Sequence, residues 1–168
     1  AFPDLLTIAP FIRYVASEPD AEEAARLRET LPREAPWREV TVVTEAIASH
    51  EGTATLYFTE HAGMSSLLEP DPEVVRHLCL ASRFDVVSTV EVPTIPLDRA
   101  SERYGFEEAA FLKLDTQGTE LDILRSGASL VERSVLGVYT EANLQPIYRD
   151  QPVFADLDAH MRACGFTL

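Results

Sequence analysis

The chain has 168 residues, 46% of them hydrophobic and 25% charged, with 14 Lys+Arg against 28 Asp+Glu and a formal net charge of −14. That balance excludes a disordered chain and fits one globular domain, which at ~150 residues buries roughly 68–70% of its unfolded surface. The acid surplus argues against broad binding to nucleic acid or anionic membranes, and no apolar run approaches the ~20 residues of a membrane span.

Residues 13–19 read as a short strand ending in an acid, Glu18. A helix over 21–31 follows, with Asp20 as its cap, Glu23 as the capping-box partner, and Ala24, Leu27 and Leu31 on one face. Residues 40–48 and 53–59 alternate as strands around Gly52 and form a candidate hairpin. A polar loop spans 61–68, and Pro70-Asp71-Pro72 precedes a short helix through Leu80. The β-branched run over 85–95 predicts a strand, with Pro93 and Pro96 placing its end at an edge or exit. A helix over 97–104 stops at Gly105.

The last third is the clearest. Residues 111–115 read as a buried strand ending in Asp115, followed by a helix whose first turn lies between Thr119 and Asp122. Its apolar residues include Leu121, Leu124 and Ala128, with Gly127 near its stop. Residues 135–141 form another acid-tipped strand. A helix over 152–164 closes at Gly165, and Phe166 begins a final strand. Strands alternating with helices predict an α/β, doubly wound, Rossmann-like and mostly parallel sheet. In such sheets ligands bind beyond the carboxyl ends of the strands, where Glu18, Asp115 and Glu141 would converge.

Each acid has a functional and a plain reading. Glu18 suits a ribose diol, since one carboxylate accepts from both hydroxyls, but it also suits a helix N-terminus. Asp115, with Gly118 and Glu120 close behind, makes a strand–loop–helix junction that presents carboxylates and backbone donors to a crevice. Glu141 ends an apolar strand, so it faces an open cleft or has a partner. Cys79 and Cys164 lack CxxC spacing and read as two reduced, packed thiols in a cytoplasmic protein. The histidines, His50, His61, His77 and His160, are scattered without ligand spacing, and no metal site is expected.

The segment Phe111-Leu-Lys-Leu-Asp-Thr-Gln-Gly-Thr-Glu-Leu-Asp-Ile-Leu-Arg-Ser-Gly-Ala128 resembles the K-hydrophobic-D-x-x-G-x-E-x-x-x-L-x-G-A signature of FkbM-type methyltransferases. Weaker pieces fall in the same order: Ser17-Glu-Pro-Asp20, Glu45-Ala-Ile-Ala-Ser-His-Glu-Gly52, Ser65-Ser66-Leu67, Val138-Tyr-Thr-Glu141, Tyr148, Phe154 and Gly165-Phe166. The resemblance implies a class I fold and S-adenosylmethionine as cofactor. It places Glu18 on the ribose, Pro19 at the adenosine edge, and Ala46 and Ile47 against the adenine. Asp115 would stand beside the methyl donor, with Glu120 and Glu141 lining the acceptor side and one of the three carboxylates serving as base. The acceptor expected is a hydroxyl of a small molecule or glycan, and a homo-oligomer is left open.

The family's glycine-rich loop should precede the first acidic strand end. Here the first glycine is Gly52 and no GxGxxG occurs. Residues 4–10 resemble the tail of the helix that follows such a loop. The expectation is therefore one domain over 1–168 that is N-terminally incomplete, binding cofactor weakly if the protein truly begins at Ala1. Two alternatives stand beside methyl transfer: a catalytically silent α/β binding domain, and an NAD-dependent oxidoreductase, against which the 111–128 block speaks.

Overall fold

The computed structural model describes residues 6–79 and 81–168. Strand β1 (Arg13–Ser17) pairs in parallel with β2 (Glu39–Val43), Arg13 opposite Glu39 and Ser17 opposite Val43. The crossover between them is α1 (Ala21–Glu34). Asp20 caps it as expected, accepting the Glu23 N–H at 2.7 Å. The reciprocal half of the box does not form, because the Glu23 carboxylate pairs with Arg26 instead. The helix outruns residue 31, and the Trp37 indole donates to the Leu31 carbonyl at 3.1 Å near its end.

The expected 40–48 strand breaks into β2 and a short β3 (Ala46–Ile47). No hairpin joins it to β4 (Gly52–Thr59). Strand β4 pairs antiparallel with β5 (Val86–Ile95), which offers a longer β-branched partner, while β2 is taken by β1. Strand β5 is central, with β3 on its other side, rather than an edge. Its proline is tolerated because β3 reaches only Thr94 and Ile95, leaving Pro93 outside that ladder. Helix α2 (Pro72–Val75) is a single turn capped by Asp71; the expected helix runs no further as α-helix, and its last residue, Leu80, lies outside the described residues.

Helix α3 (Leu97–Tyr104) ends where expected, with Gly105 at φ +69°. Strand β6 (Phe111–Leu114) pairs in parallel with β7 (Gly137–Thr140). Only Leu112 and Leu114 of β6 are buried, so the strand is one-sided rather than buried throughout. The single expected helix after it is two, α4 (Glu120–Ser126) and α5 (Ala128–Ser134), hinged at Gly127. A Cβ at Gly127 would stand 2.4 Å from Leu97 Cδ2, so α3 crosses at the hinge itself. Helix α6 (Phe154–Ala163) is closed by Gly165 at φ +88°, and residues 166–168 form no strand. Both cysteines are free and exposed, not packed, since the turn after α2 and the end of α6 leave them at the surface.

The main core gathers Leu97, Leu112, Leu114, Leu121, Ile123, Leu124, Leu130, Val131, Val135 and Leu157. Burial of such side chains contributes about 1.5–3 kcal/mol each, which fixes the β6–α4 junction against α3, α5 and α6. Ile47 of β3 packs on the same cluster. The architecture is thus mixed α/β, built from two parallel strand pairs and a three-stranded mixed sheet. Among the described residues, no helix is long and apolar enough to cross a membrane.

Candidate active site

The loop from Asp115 to Thr119 is short, and its backbone is over-determined. Gln117 and Gly118 both have positive φ, +57° and +111°. The φ of Gly118 calls for glycine, and an added Cβ would also press on side-chain atoms of Gln151 and Leu68 at 3.1 Å. Glu120, buried at 6% exposure, folds back over this turn. Its Oε1 accepts the Thr116 N–H at 2.8 Å and its Oε2 the Gly118 N–H at 3.0 Å. Thr119 occupies the N-cap position of α4 but makes no cap bond; its hydroxyl donates to Thr116 Oγ1 instead. Glu120 likewise closes the loop before the helix and caps none of its first-turn N–H groups.

Asp115 and Glu141 end adjacent parallel strands, and the structure brings them together through a residue the sequence reading gave no role. Gln117 Nε2 donates to Asp115 Oδ1 at 3.2 Å and to Glu141 Oε2 at 3.1 Å. Lys113, on the same strand face as Asp115, donates to its Oδ2 at 2.8 Å. Both Asp115 oxygens are therefore engaged, whereas Glu141 Oε1 accepts from none of the described residues. Glu120 and Glu141 line a small recess with Leu121, Val153 and Leu157, between α4 and α6.

Behind this pair stands Tyr148, 1% exposed, whose hydroxyl lies 2.8 Å from the Met64 carbonyl and 3.2 Å from Gln117 Oε1. Burial, then the negative charges of Glu120 and Glu141, push its ionisation far above the ordinary tyrosine range, so it stays a neutral donor. Ser66, in the loop singled out as Ser65-Ser66-Leu67, donates to the Gln117 carbonyl at 2.8 Å. Gln117 could have been suspected from its place before Gly118 in a tight turn. Tyr148 is among the residues of the resemblance, but nothing local to it points to contact with Gln117, thirty-one residues earlier.

Glu18 and Pro19 are half-buried at the end of β1, whereas Ala46 packs with Leu56 and Val92 and Ile47 packs on the main core. Ser17 Oγ donates to the Glu45 carbonyl at 2.9 Å, and the Glu18 N–H reaches the Val43 carbonyl at 2.9 Å, which ties the two segments. Glu18 Oε1 accepts the Asp20 N–H at 2.9 Å; its Oε2 has no hydrogen bond from the described residues. Burial raises the Glu18 carboxyl above its ordinary value, opposed by the Asp20 N–H and aided by the charges of Glu23 and Asp20. The segment before Ala46 is anchored separately. Burial disfavours the charged form of Glu45, yet bonds from Tyr104 and Arg103 outweigh it and hold that carboxyl below the usual range.

Chemically, one group of residues offers a half-buried carboxylate with one oxygen open, and the other offers paired carboxylates at a strand–helix junction. Among the described residues, no group of three or more His, Cys, Asp or Glu is placed to hold a metal ion.

Acids at the carboxyl ends of parallel strands stand where open α/β folds bind their ligands. The particular family follows from comparison: the model of the methyltransferase FkbM domain matches residues 10–168. The chain belongs to the FkbM methyltransferase family, and methyl transfer is the chemistry this assigns. No curated protein and no solved structure matches it.

Proposed function

We propose that the domain transfers the methyl group of S-adenosylmethionine to a hydroxyl oxygen of a small molecule or sugar, and that its two parallel strand pairs are parts of one doubly wound sheet. The observation that carries this reading is the Asp115–Gln117–Glu141 bridge, which sets Asp115, in the 111–128 segment that resembles the family signature, side by side with Glu141.

The residues fit such a cofactor. Glu18 Oε2 is an acceptor without a hydrogen bond from the described residues, on a half-buried side chain, as a ribose hydroxyl needs. Half-buried Pro19 follows Glu18 as an apolar neighbour for a planar base, and Ala46 and Ile47, packed into the cores, would reach the base only at the rim of β3. When bound, S-adenosylmethionine supplies a methyl group activated by a sulfonium charge. The protein's part is to hold the acceptor hydroxyl in line with that group and to receive its proton. Glu141 Oε1 is the oxygen left open for the proton, while Asp115, held by Lys113 and Gln117, contributes fixed negative charge beside the cation. Glu120, committed to backbone N–H groups, shapes the loop that borders the acceptor side. A cytoplasmic location and a glycan or small-molecule acceptor complete the proposal.

The test is incubation with methyl-labelled S-adenosylmethionine and a panel of sugars and hydroxylated small molecules, with mass spectrometry of the products. Label on an oxygen of an acceptor supports the reading. Saturable NAD binding without any S-adenosylmethionine or S-adenosylhomocysteine binding overturns it.

A further inference from the structure

Three polar atoms of Gln117 meet neighbours, the Tyr148 hydroxyl being shared with the nearer Met64 carbonyl. Its carbonyl accepts from Ser66 Oγ at 2.8 Å, its Oε1 faces the Tyr148 hydroxyl at 3.2 Å, and its Nε2 reaches Asp115 and Glu141. The amide orientation follows from chemistry: two carboxylates face the nitrogen, which only donates, and a hydroxyl faces the oxygen, which only accepts. The backbone at +57° is a left-handed conformation that a non-glycine residue adopts only when its surroundings enforce it. Tyr148 is itself fixed from behind, its N–H donating to the buried Gln151 at 3.1 Å.

We propose that Gln117 is a positioning residue, held by Tyr148, that sets the placement of the Asp115 and Glu141 carboxylates and leaves Glu141 Oε1 facing the acceptor. Its role in turnover rests on the methyl-transfer reading above; the bridge itself does not. An amide is suited to this place because it donates to two carboxylates while adding no charge. A glutamate would put a third negative group between two others and donate nothing. A methionine would keep the length and remove both donors.

The experiment pairs turnover with a readout independent of it. In the full chain, Gln117→Met and Gln117→Glu should each lower kcat at least ~10-fold, with S-adenosylhomocysteine affinity within about twofold of native, since the Gln117 amide touches none of the residues assigned to the nucleoside and S-adenosylhomocysteine lacks the sulfonium charge beside which Asp115 is placed. Separately, the side-chain amide resonances of Gln117, followed by ¹⁵N NMR, should shift in both Asp115→Ala and Glu141→Ala. Native kcat in both Gln117 variants would overturn the role in turnover. Amide resonances unmoved by either alanine variant would overturn the bridge, and this outcome is readable even if the protein binds no methyl donor, which would instead defeat the functional reading.

Discussion

Glu120 receives the Gly118 N–H on both carboxylate oxygens, at 3.2 and 3.0 Å, from a position only 6% exposed. A residue at the start of a helix thus closes the loop that precedes it, and Thr116 donates to the same carboxylate at 2.8 Å. Removing this acceptor strands buried donors, each at about 1–3 kcal/mol. Glu120→Leu should lower stability by roughly 2–5 kcal/mol in denaturant unfolding, and Glu120→Gln, which keeps one acceptor oxygen, by clearly less. Equal losses for the two variants would contradict this account of the loop.

Gly127 lets α3 cross the hinge between α4 and α5. An added Cβ would meet Leu97 Cδ2, Cγ and Cβ at 2.4, 2.8 and 2.9 Å, and Leu97 is itself buried at 4% exposure with little room to move. Gly127→Ala, ordinarily mild within a helical segment, should here cost about 1–3 kcal/mol through overpacking. Thermal unfolding monitored by circular dichroism measures it. A neutral or stabilising alanine would mean that the helices shift apart without penalty.

Asp98 reaches from α3 to the start of α5, accepting the Ser129 and Leu130 N–H groups at 3.1 and 2.8 Å. It supplies across the fold the cap that Gly127, without a side chain, cannot give. Asp98→Ala should therefore destabilise by about 0.5–2 kcal/mol, the usual worth of an N-cap. Asp98→Asn should recover most of the loss in the same unfolding measurement.

Glu18 makes a pH-dependent contribution whose sign is fixed by burial. Its folded carboxyl lies above the ordinary 4.5, so the folded state binds the proton more tightly than the unfolded one. The favourable term is complete below the unfolded value and is lost as pH rises through the folded value. Glu18→Gln can keep an oxygen for the Asp20 N–H and has no charge to bury. Its melting temperature should exceed the native one at neutral pH, with the gap closing as pH falls through and below 4.5. A gap constant with pH would contradict the assignment to Glu18.

Much of this was legible in local patterns. The Asp20 cap, the stop of α3 at Gly105 and the acid-tipped β1, β6 and β7 follow from residues close in sequence. What escaped was set by distant partners. Residues 40–48 carry one continuous alternation, yet β1 claims its first half and β5 its end. Ala128 completes an apolar helical face on paper, but α3 crossing at Gly127 divides the helix. In the site, Asp115 and Glu141 were visible as strand ends, whereas the Tyr148–Gln117 support depends on a loop thirty-odd residues later folding back. Such a contact leaves no periodicity to read.

The most direct test of the central claim is a calorimetric titration of S-adenosylhomocysteine into the native protein and into Glu18→Ala. The account predicts saturable binding by the native protein and at least ~10-fold weaker binding by the variant, the loss of a charge-assisted hydrogen bond to a ribose hydroxyl. Native-like affinity in Glu18→Ala, or no binding to the native protein, would contradict it.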